Sequence, residues 1–280
     1  MIKLFKTNEE YFNWHEKNQQ KTIGFAPTMG NIHNAHLSLL EQALIENEVG
    51  IISIYVNPTQ FGEGEDFDAY PRTLSDDIEK IKTLESKYNK DIIIYAPRET
   101  DIYPQGFTNY LKAHQIAADL EGDLRPTHFD GVVTVVARLF EIIKPHKSYF
   151  GKKDYQQLKL IELMAREHYP QVEVKGMPII REPNGLAMSS RNNYLSPAQK
   201  DEALALRNSL LAVSKEIEKG ASINEIKELI QNLKTDKKLN YLDLKSAIDF
   251  SPLNEIKKPI VILGNYQIGS TRLLDNVEVL

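Results

Sequence analysis

Through the first half of the chain, apolar β-branched runs alternate with stretches whose apolar residues recur every three to four positions. The runs predict strands near 22–26, 50–56, 92–95 and 147–150, and the periodic stretches predict helices near 35–48, 74–88, 129–143 and 153–168. Strands alternating with helices in this way build a parallel sheet covered on both faces, with ligands bound beyond the carboxyl ends of the strands. A further strand, Val172-Glu173-Val174, leads into Gly176-Met177-Pro178, and the texture then changes. Two long charged-apolar helices follow at 197–219 and 222–234, the first opened by Ser196 as N-cap and Pro197 at the first helical position. Three short strand-like runs come last: Tyr241-Leu242-Asp243-Leu244, Ile260-Val261-Ile262-Leu263 and Thr271-Arg272-Leu273-Leu274. This order predicts an α/β domain with a parallel sheet followed by a small α+β domain, the boundary lying near 176–184. No internal repeat or low-complexity tract interrupts either part.

Composition narrows the function classes. A chain of 280 residues with 41% hydrophobic content can bury a core in one large domain or two. The absence of cysteine excludes disulfides, thiolate metal sites and a thiol nucleophile, and fits a reducing compartment. No long apolar stretch follows Met1-Ile2-Lys3-Leu4-Phe5-Lys6, so neither a signal peptide nor a membrane span is expected, and the cytoplasm is the default location. A formal net charge of −5 argues against a nucleic-acid partner, which calls for a basic face. A small anion needs only a local cluster of donors, and Lys152, Lys153, Arg181 and Arg191 are candidates for one.

Candidate chemistry gathers where strands give way to helices. Pro27-Thr28-Met29-Gly30-Asn31-Ile32-His33-Asn34-Ala35-His36 reads as a strand end, a tight turn and a helix start, where unpaired N–H groups and the helix dipole suit a phosphate. His33 and His36, three apart on the first helical turn, point the same way and can donate to one anion; alternatively they are surface histidines or half of a metal site. Asn57-Pro58-Thr59-Gln60-Phe61-Gly62 opens a long loop over 57–73, and the Gln60 amide suits a substrate bearing hydroxyl and carboxylate groups. The acidic residues Asp66, Asp68, Asp76 and Asp77 read as a solvated face and helix start, with Asp76 or Asp77 as a magnesium ligand in second place. Gly151-Lys152-Lys153-Asp154 is a second potential phosphate cradle, with Lys153 as its point charge and Asp154 as a helix cap. Gln156 and Gln157, adjacent on the following helix, cannot both face one cleft. Met188-Ser189-Ser190-Arg191-Asn192 offers two hydroxyls and a guanidinium to oxygens that carry growing charge, or is a plain polar loop.

Taken together these segments resemble the pantothenate synthetases, ATP-dependent ligases joining pantoate to β-alanine, within the nucleotidyltransferase group whose signature is a His-x-Gly-His turn. The resemblance runs over nearly the whole chain. It is carried by Pro27-Thr28-Met29-Gly30, His33 and His36, Asn57-Pro58-Thr59-Gln60-Phe61, Asp68-Ala69-Tyr70-Pro71-Arg72-Thr73, Arg125-Pro126, His128-Phe129, Gly131-Val132, Phe150-Gly151-Lys152-Lys153-Asp154, Gln157 and Leu186-Ala187-Met188-Ser189-Ser190-Arg191-Asn192. Three positions depart from the usual pattern between and after the motifs: Ala35 in place of Gly between the histidines, Asn34 in place of Glu, and Thr127 in place of Gly. Asp130 stands at a position often basic in the family.

The resemblance implies a Rossmann-like nucleotidyltransferase domain over 1–178 that binds nucleotide and pantoate, and a C-terminal α+β lid over 179–280. It implies a pantoyl adenylate intermediate, ATP as substrate with Mg2+, and a homodimer. His33 and His36 would donate to phosphate oxygens, with His36 the proton donor, while Lys153, Ser189, Ser190 and Arg191 hold the pyrophosphate charge. Met29, Gly30, Asn31, Ile32, His33, Asn34, Ala35, His36, Gly151, Lys152, Lys153, Asp154, Ile180 and Met188 would surround the nucleotide, and Gln60 and Gln157 would grip pantoate. Two rival readings are a nucleotidyltransferase that stops at a phosphate ester and a nucleotide-binding regulatory subunit. A tRNA synthetase lacks an RNA surface here.

Overall fold

The computed structural model describes residues 1–65 and 67–280, so of the acidic residues singled out above Asp66 lies outside the described residues. The chain divides into two compact units: Met1–Gly151 with Leu160–Met177, and Lys152–Lys159 with Pro178–Leu280. The second unit thus takes in Lys152–Lys159 from the middle of the chain.

In the first unit the elements run β1 (Ile2–Phe5), α1 (Asn8–Glu16), β2 (Ile23–Thr28), α2 (Asn34–Glu46), β3 (Val49–Ile54), α3 (Leu74–Tyr88), β4 (Asp91–Tyr95), α4 (Glu99–Ile102), α5 (Glu121–Leu124), α6 (His128–Ile143), β5 (Lys147–Gly151), α7 (Tyr155–His168) from Leu160 onward, and β6 (Glu173–Met177). The strands form one parallel sheet in the order β1-β4-β3-β2-β5-β6. Strands β3 and β4 are buried along almost their whole length, as befits apolar runs covered by helices on both faces. On one side Leu39, Leu40 and Leu44 of α2 and Ile81 of α3 pack with Ala26, Ile52, Ile92 and Ile94 of the sheet. Strand order reverses between β2 and β5, so a crevice opens at the carboxyl ends of those two strands. Those ends are Thr28 and Gly151, the entrances to the two glycine-containing turns singled out above.

The second unit contains α8 (Pro197–Glu218), α9 (Ile223–Leu233) and an antiparallel sheet of β7 (Leu239–Ser246), β8 (Ile260–Ile268) and β9 (Thr271–Val279) in the order β7-β8-β9. Ser196 caps α8 through the N–H of Gln199, and the Gln199 side chain returns to the Ser196 N–H. Leu206, Leu210 and Val213 of α8 share a core with Leu242, Ile260 and Ile262 of the sheet. Among the described residues no helix is long and apolar enough to cross a membrane.

Candidate active site

The turn from β2 into α2 is built by backbone that few residues tolerate. Thr28 Oγ1 donates to the Ser53 carbonyl at 2.6 Å and accepts the Gly30 N–H at 3.2 Å, which folds the chain back on itself. Gly30 and Asn31 then take φ values of +86° and +50°. A Cβ at Gly30 would lie 3.0 Å from Ile54 Cγ2 and 3.1 Å from Asp77 Oδ2, so this position has neither the conformation nor the room for a side chain. Asp77 accepts the N–H groups of Asn31 at 3.0 Å and Ile32 at 2.7 Å.

Helix α2 begins after His33, which makes no side-chain cap, and its first turn holds no acidic residue. Its leading N–H groups and dipole are therefore presented without a competing carboxylate of their own. Over this end the half-buried imidazoles of His33 and His36 stack, ring centroids 3.9 Å apart and planes 17° from parallel. Two rings so placed can serve one phosphate.

Gln60 reaches the same place from β3. It closes a 3-10 turn, Pro58–Gln60, capped by Asn57, and its amide touches Met29 Sδ at 3.1 Å while accepting from Asn57 Nδ2 at 3.1 Å. The turn can lie against α6 because Gly131 has no side chain: a Cβ there would come within 2.7 Å of Gln60 Cα. The Gln60 carbonyl accepts from His128 Nδ1 at 2.8 Å, and Arg125 donates to His128 Nε2 at 2.9 Å and forms a two-pronged pair with Glu65 at 2.7 and 2.6 Å. Arginine only donates and a carbonyl only accepts, so the His128 proton sits on Nδ1. The motif residues Arg125 and His128 thus brace the substrate-binding candidate.

In the second unit, Lys152–Asp154 forms a 3-10 turn before α7. Asn276 Nδ2 donates to the carbonyls of Lys152 and Lys153 at 2.7 and 3.0 Å, Lys152 pairs with Glu278 at 2.6 Å, and Lys153 pairs with its neighbour Asp154 at 3.1 Å. The pair with Glu278 ties Lys152 to β9. Asp154 serves Lys153. Of the adjacent glutamines, Gln156 is buried and Gln157 half-buried.

Ile180 and Met188 meet through a backbone hydrogen bond of 2.9 Å that, with the pairing of Glu182 and Leu186 at 2.8 Å, closes a short arm. Arg181 grips buried Asp275 through two hydrogen bonds, 2.7 and 2.9 Å, and so fixes the arm to β9. Ser189 then caps the turn Ser190–Tyr194 by accepting the Arg191 N–H at 3.3 Å, and Asn192 donates to the Ala187 carbonyl at 3.0 Å. Ser189, Ser190 and Arg191 are half-buried at the end of this arm.

The acidic pair on α3 separates by burial: Asp76 is exposed and Asp77 is fully buried on the histidine turn. Among the described residues no group of three or more His, Asp and Glu is placed to hold a metal ion. Asp130 accepts from Lys112 Nζ at 2.7 Å and the Ala113 N–H at 2.8 Å, so it pins the segment before α5.

The sequence model of the pantoate-beta-alanine ligase family matches residues 3–278. The pantothenate synthetase of Sulfurihydrogenibium sp. (strain YO3AOP1) is 43% identical over 267 residues, covering 94% of each chain. That of Thermotoga petrophila is 41% identical over 281 residues, covering 98% of this chain and 99% of its own. Among solved structures, pantothenate synthetase from Thermus thermophilus has a TM-score of 0.88 at 36% identity and covers 99% of both chains. Pantoate-beta-alanine ligase from Francisella tularensis, complexed with beta-gamma ATP and beta-alanine, has a TM-score of 0.75 at 32% identity, covering 99% of this chain and 98% of its own.

Proposed function

The chain belongs to the pantoate–β-alanine ligase family, and from that premise we propose that it condenses pantoate with β-alanine at the expense of ATP. A carboxylate resists amine attack, so it is first activated. A pantoate carboxylate oxygen bonds to the α-phosphorus of ATP and the bond to pyrophosphate breaks, giving pantoyl adenylate. The β-alanine amine then attacks the acyl carbon, AMP leaves, and the nitrogen gives up its proton to form pantothenate.

The protein contributes position and charge rather than covalent chemistry. His33 and His36 donate to the α-phosphate oxygens as the five-coordinate phosphorus forms, with His36 the proton donor. The backbone from Met29 to His36, Gly151 to Asp154, Ile180 and Met188 cradles the nucleotide. Lys153, Ser189, Ser190 and Arg191 take up pyrophosphate charge, and Gln60 and Gln157 hold pantoate. The observation that carries this reading is the uncapped start of α2 beneath stacked His33 and His36, with Gln60 against the same turn.

Mg2+ enters with the triphosphate as part of the substrate and neutralises the departing charge. The donor set fits a cation that arrives with the nucleotide, since Asp77 spends both oxygens on backbone N–H groups and leaves Asp76 as the exposed carboxylate of the pair. Family membership also supports a homodimer in the cytoplasm.

The test is an omission assay. AMP forms only with ATP, pantoate and β-alanine together, and one equivalent of pyrophosphate forms per site when β-alanine alone is left out. Pyrophosphate without AMP in the complete mixture identifies a nucleotidyltransferase that stops at the adenylylated product.

A further inference from the structure

We propose that Asp77 is the positioning residue of the histidine turn, a carboxylate that fixes the backbone before α2 so that His33 and His36 meet the α-phosphate. The proposal rests on the adenylation reading above. Asp77 is fully buried, yet no lysine or arginine neutralises it in the hydrogen bonds it makes: Oδ2 accepts from the Asn31 N–H at 3.0 Å, and Oδ1 from the Ile32 N–H at 2.7 Å and Thr73 Oγ1 at 3.3 Å. One turn further along the same face of α3, Lys80 Nζ donates to the Ile32 carbonyl at 2.8 Å. Helix α3 therefore holds the turn by both its donors and its acceptor.

The turn needs this grip. Gly30 and Asn31 are consecutive left-handed residues, a conformation that Gly and Asn adopt more readily than other residues. They aim the N–H groups of Asn31 and Ile32 inward, where an acceptor has to meet them, because buried backbone donors left unmatched are costly. Asp77 meets these two N–H groups with one oxygen each. An amide of the same shape turns one acceptor into a donor facing a donor, so Asp77→Asn tests the carboxylate without changing its volume. Geometry at the reacting atoms is sensitive: a displacement near 1 Å can cost about a hundredfold in rate.

In the full-length Asp77→Asn protein, the single-turnover rate of pyrophosphate formation from ATP and pantoate is expected to fall about 10- to 100-fold. The KM for ATP rises, while the KM for β-alanine stays close to that of the parent protein. Amide hydrogen exchange supplies a readout that needs no variant: in the parent protein the Asn31 and Ile32 amides exchange slowly despite lying in a turn. An adenylation rate in Asp77→Asn equal to the parent's overturns the proposal. So does recovery of the rate at raised Mg2+, which makes Asp77 a metal ligand, or an equal rise in both KM values, which makes it a general structural residue. If Asp77→Asn fails to fold, fast exchange at Asn31 and Ile32 in the parent still overturns the proposal, and slow exchange supports it. A parent protein that forms no pyrophosphate from ATP and pantoate defeats the adenylation reading and leaves the exchange result standing.

Discussion

His36 sits in the first turn of α2, while Leu39, Leu40, Ala43 and Leu44 bury the helix against the sheet. Truncating its imidazole therefore removes a donor without emptying the core. His36→Ala is expected to slow single-turnover pyrophosphate formation by about 10²–10³, the scale for losing one transition-state donor, with little change in melting temperature. An unchanged rate would remove His36 from the step. At this scale the residue types proposed to face substrate are legible, because histidines, serines and glutamines in turns carry a chemical signature of their own. Their supports are not. Asp77 lies 46 residues from Asn31, Asp275 lies 94 from Arg181, and Glu278 lies 126 from Lys152, so no local pattern links them. In sequence Lys152 and Arg181 look like anion ligands, and their pairing with Glu278 and Asp275 of β9 is not visible there. Thr127 shows the converse case, in which the fold explains a sequence anomaly. Its φ of +70° is a conformation suited to Gly, and a β-branched residue holds it under strain.

Elements reveal themselves when their burial is uniform and hide when it is not. The apolar runs at 50–56 and 92–95 declare β3 and β4, whereas β1 is half-buried throughout and α1 is rich in charge, so neither stands out in the pattern. The available signal is the capping box of Thr7 and Glu10. Strands β7, β8 and β9 run to 8, 9 and 9 residues, well beyond the short apolar runs that mark them, because antiparallel pairing carries polar positions along with apolar ones. The end of α2 makes a testable case of element-to-element attachment. Glu46 closes this helix, where the dipole disfavours an anion, and it is held there by Lys147 of β5 at 2.8 Å and Lys175 of β6 at 2.7 Å. The Lys147 hydrogen bond first, then that of Lys175, brings its carboxyl down to about 2 from an ordinary 4.5. A depressed carboxyl contributes stability that is complete above the unfolded value and lost as pH falls through the folded one. With its side chain 21% exposed, solvent screening limits the contribution, and Glu46→Gln is expected to cost roughly 1–2 kcal/mol at pH 7. Denaturant titrations should show that difference shrinking from pH 4.5 down to about 2. A gap that stays constant through the window would mean that packing, not charge, attaches α2 to β5 and β6.

The whole molecule is two cores on one chain, and neither is contiguous. Change in texture after Pro178 is enough to suggest a separate C-terminal region, but nothing in Lys152–Lys159 itself says that it joins that region. Its membership comes from β9: Asn276 holds the Lys152 and Lys153 carbonyls, and Glu278 receives Lys152 Nζ and the Tyr155 hydroxyl. Loss of the second core should therefore release this stretch as well, although its nearest neighbours in sequence end a strand of the first sheet. Leu210, fully buried in α8 among Leu206, Val213 and Ile262, is the lever. Leu210→Ala should destabilise the second unit by about 2–5 kcal/mol, the range for emptying a packed leucine site. Hydrogen exchange followed by mass spectrometry should then show faster exchange in 178–280 and in 152–159, with β2, β3 and β4 protected as before. Should 152–159 keep the protection of β5 while 178–280 loses its own, the hydrogen bonds to β9 would be too weak to decide which core that stretch follows.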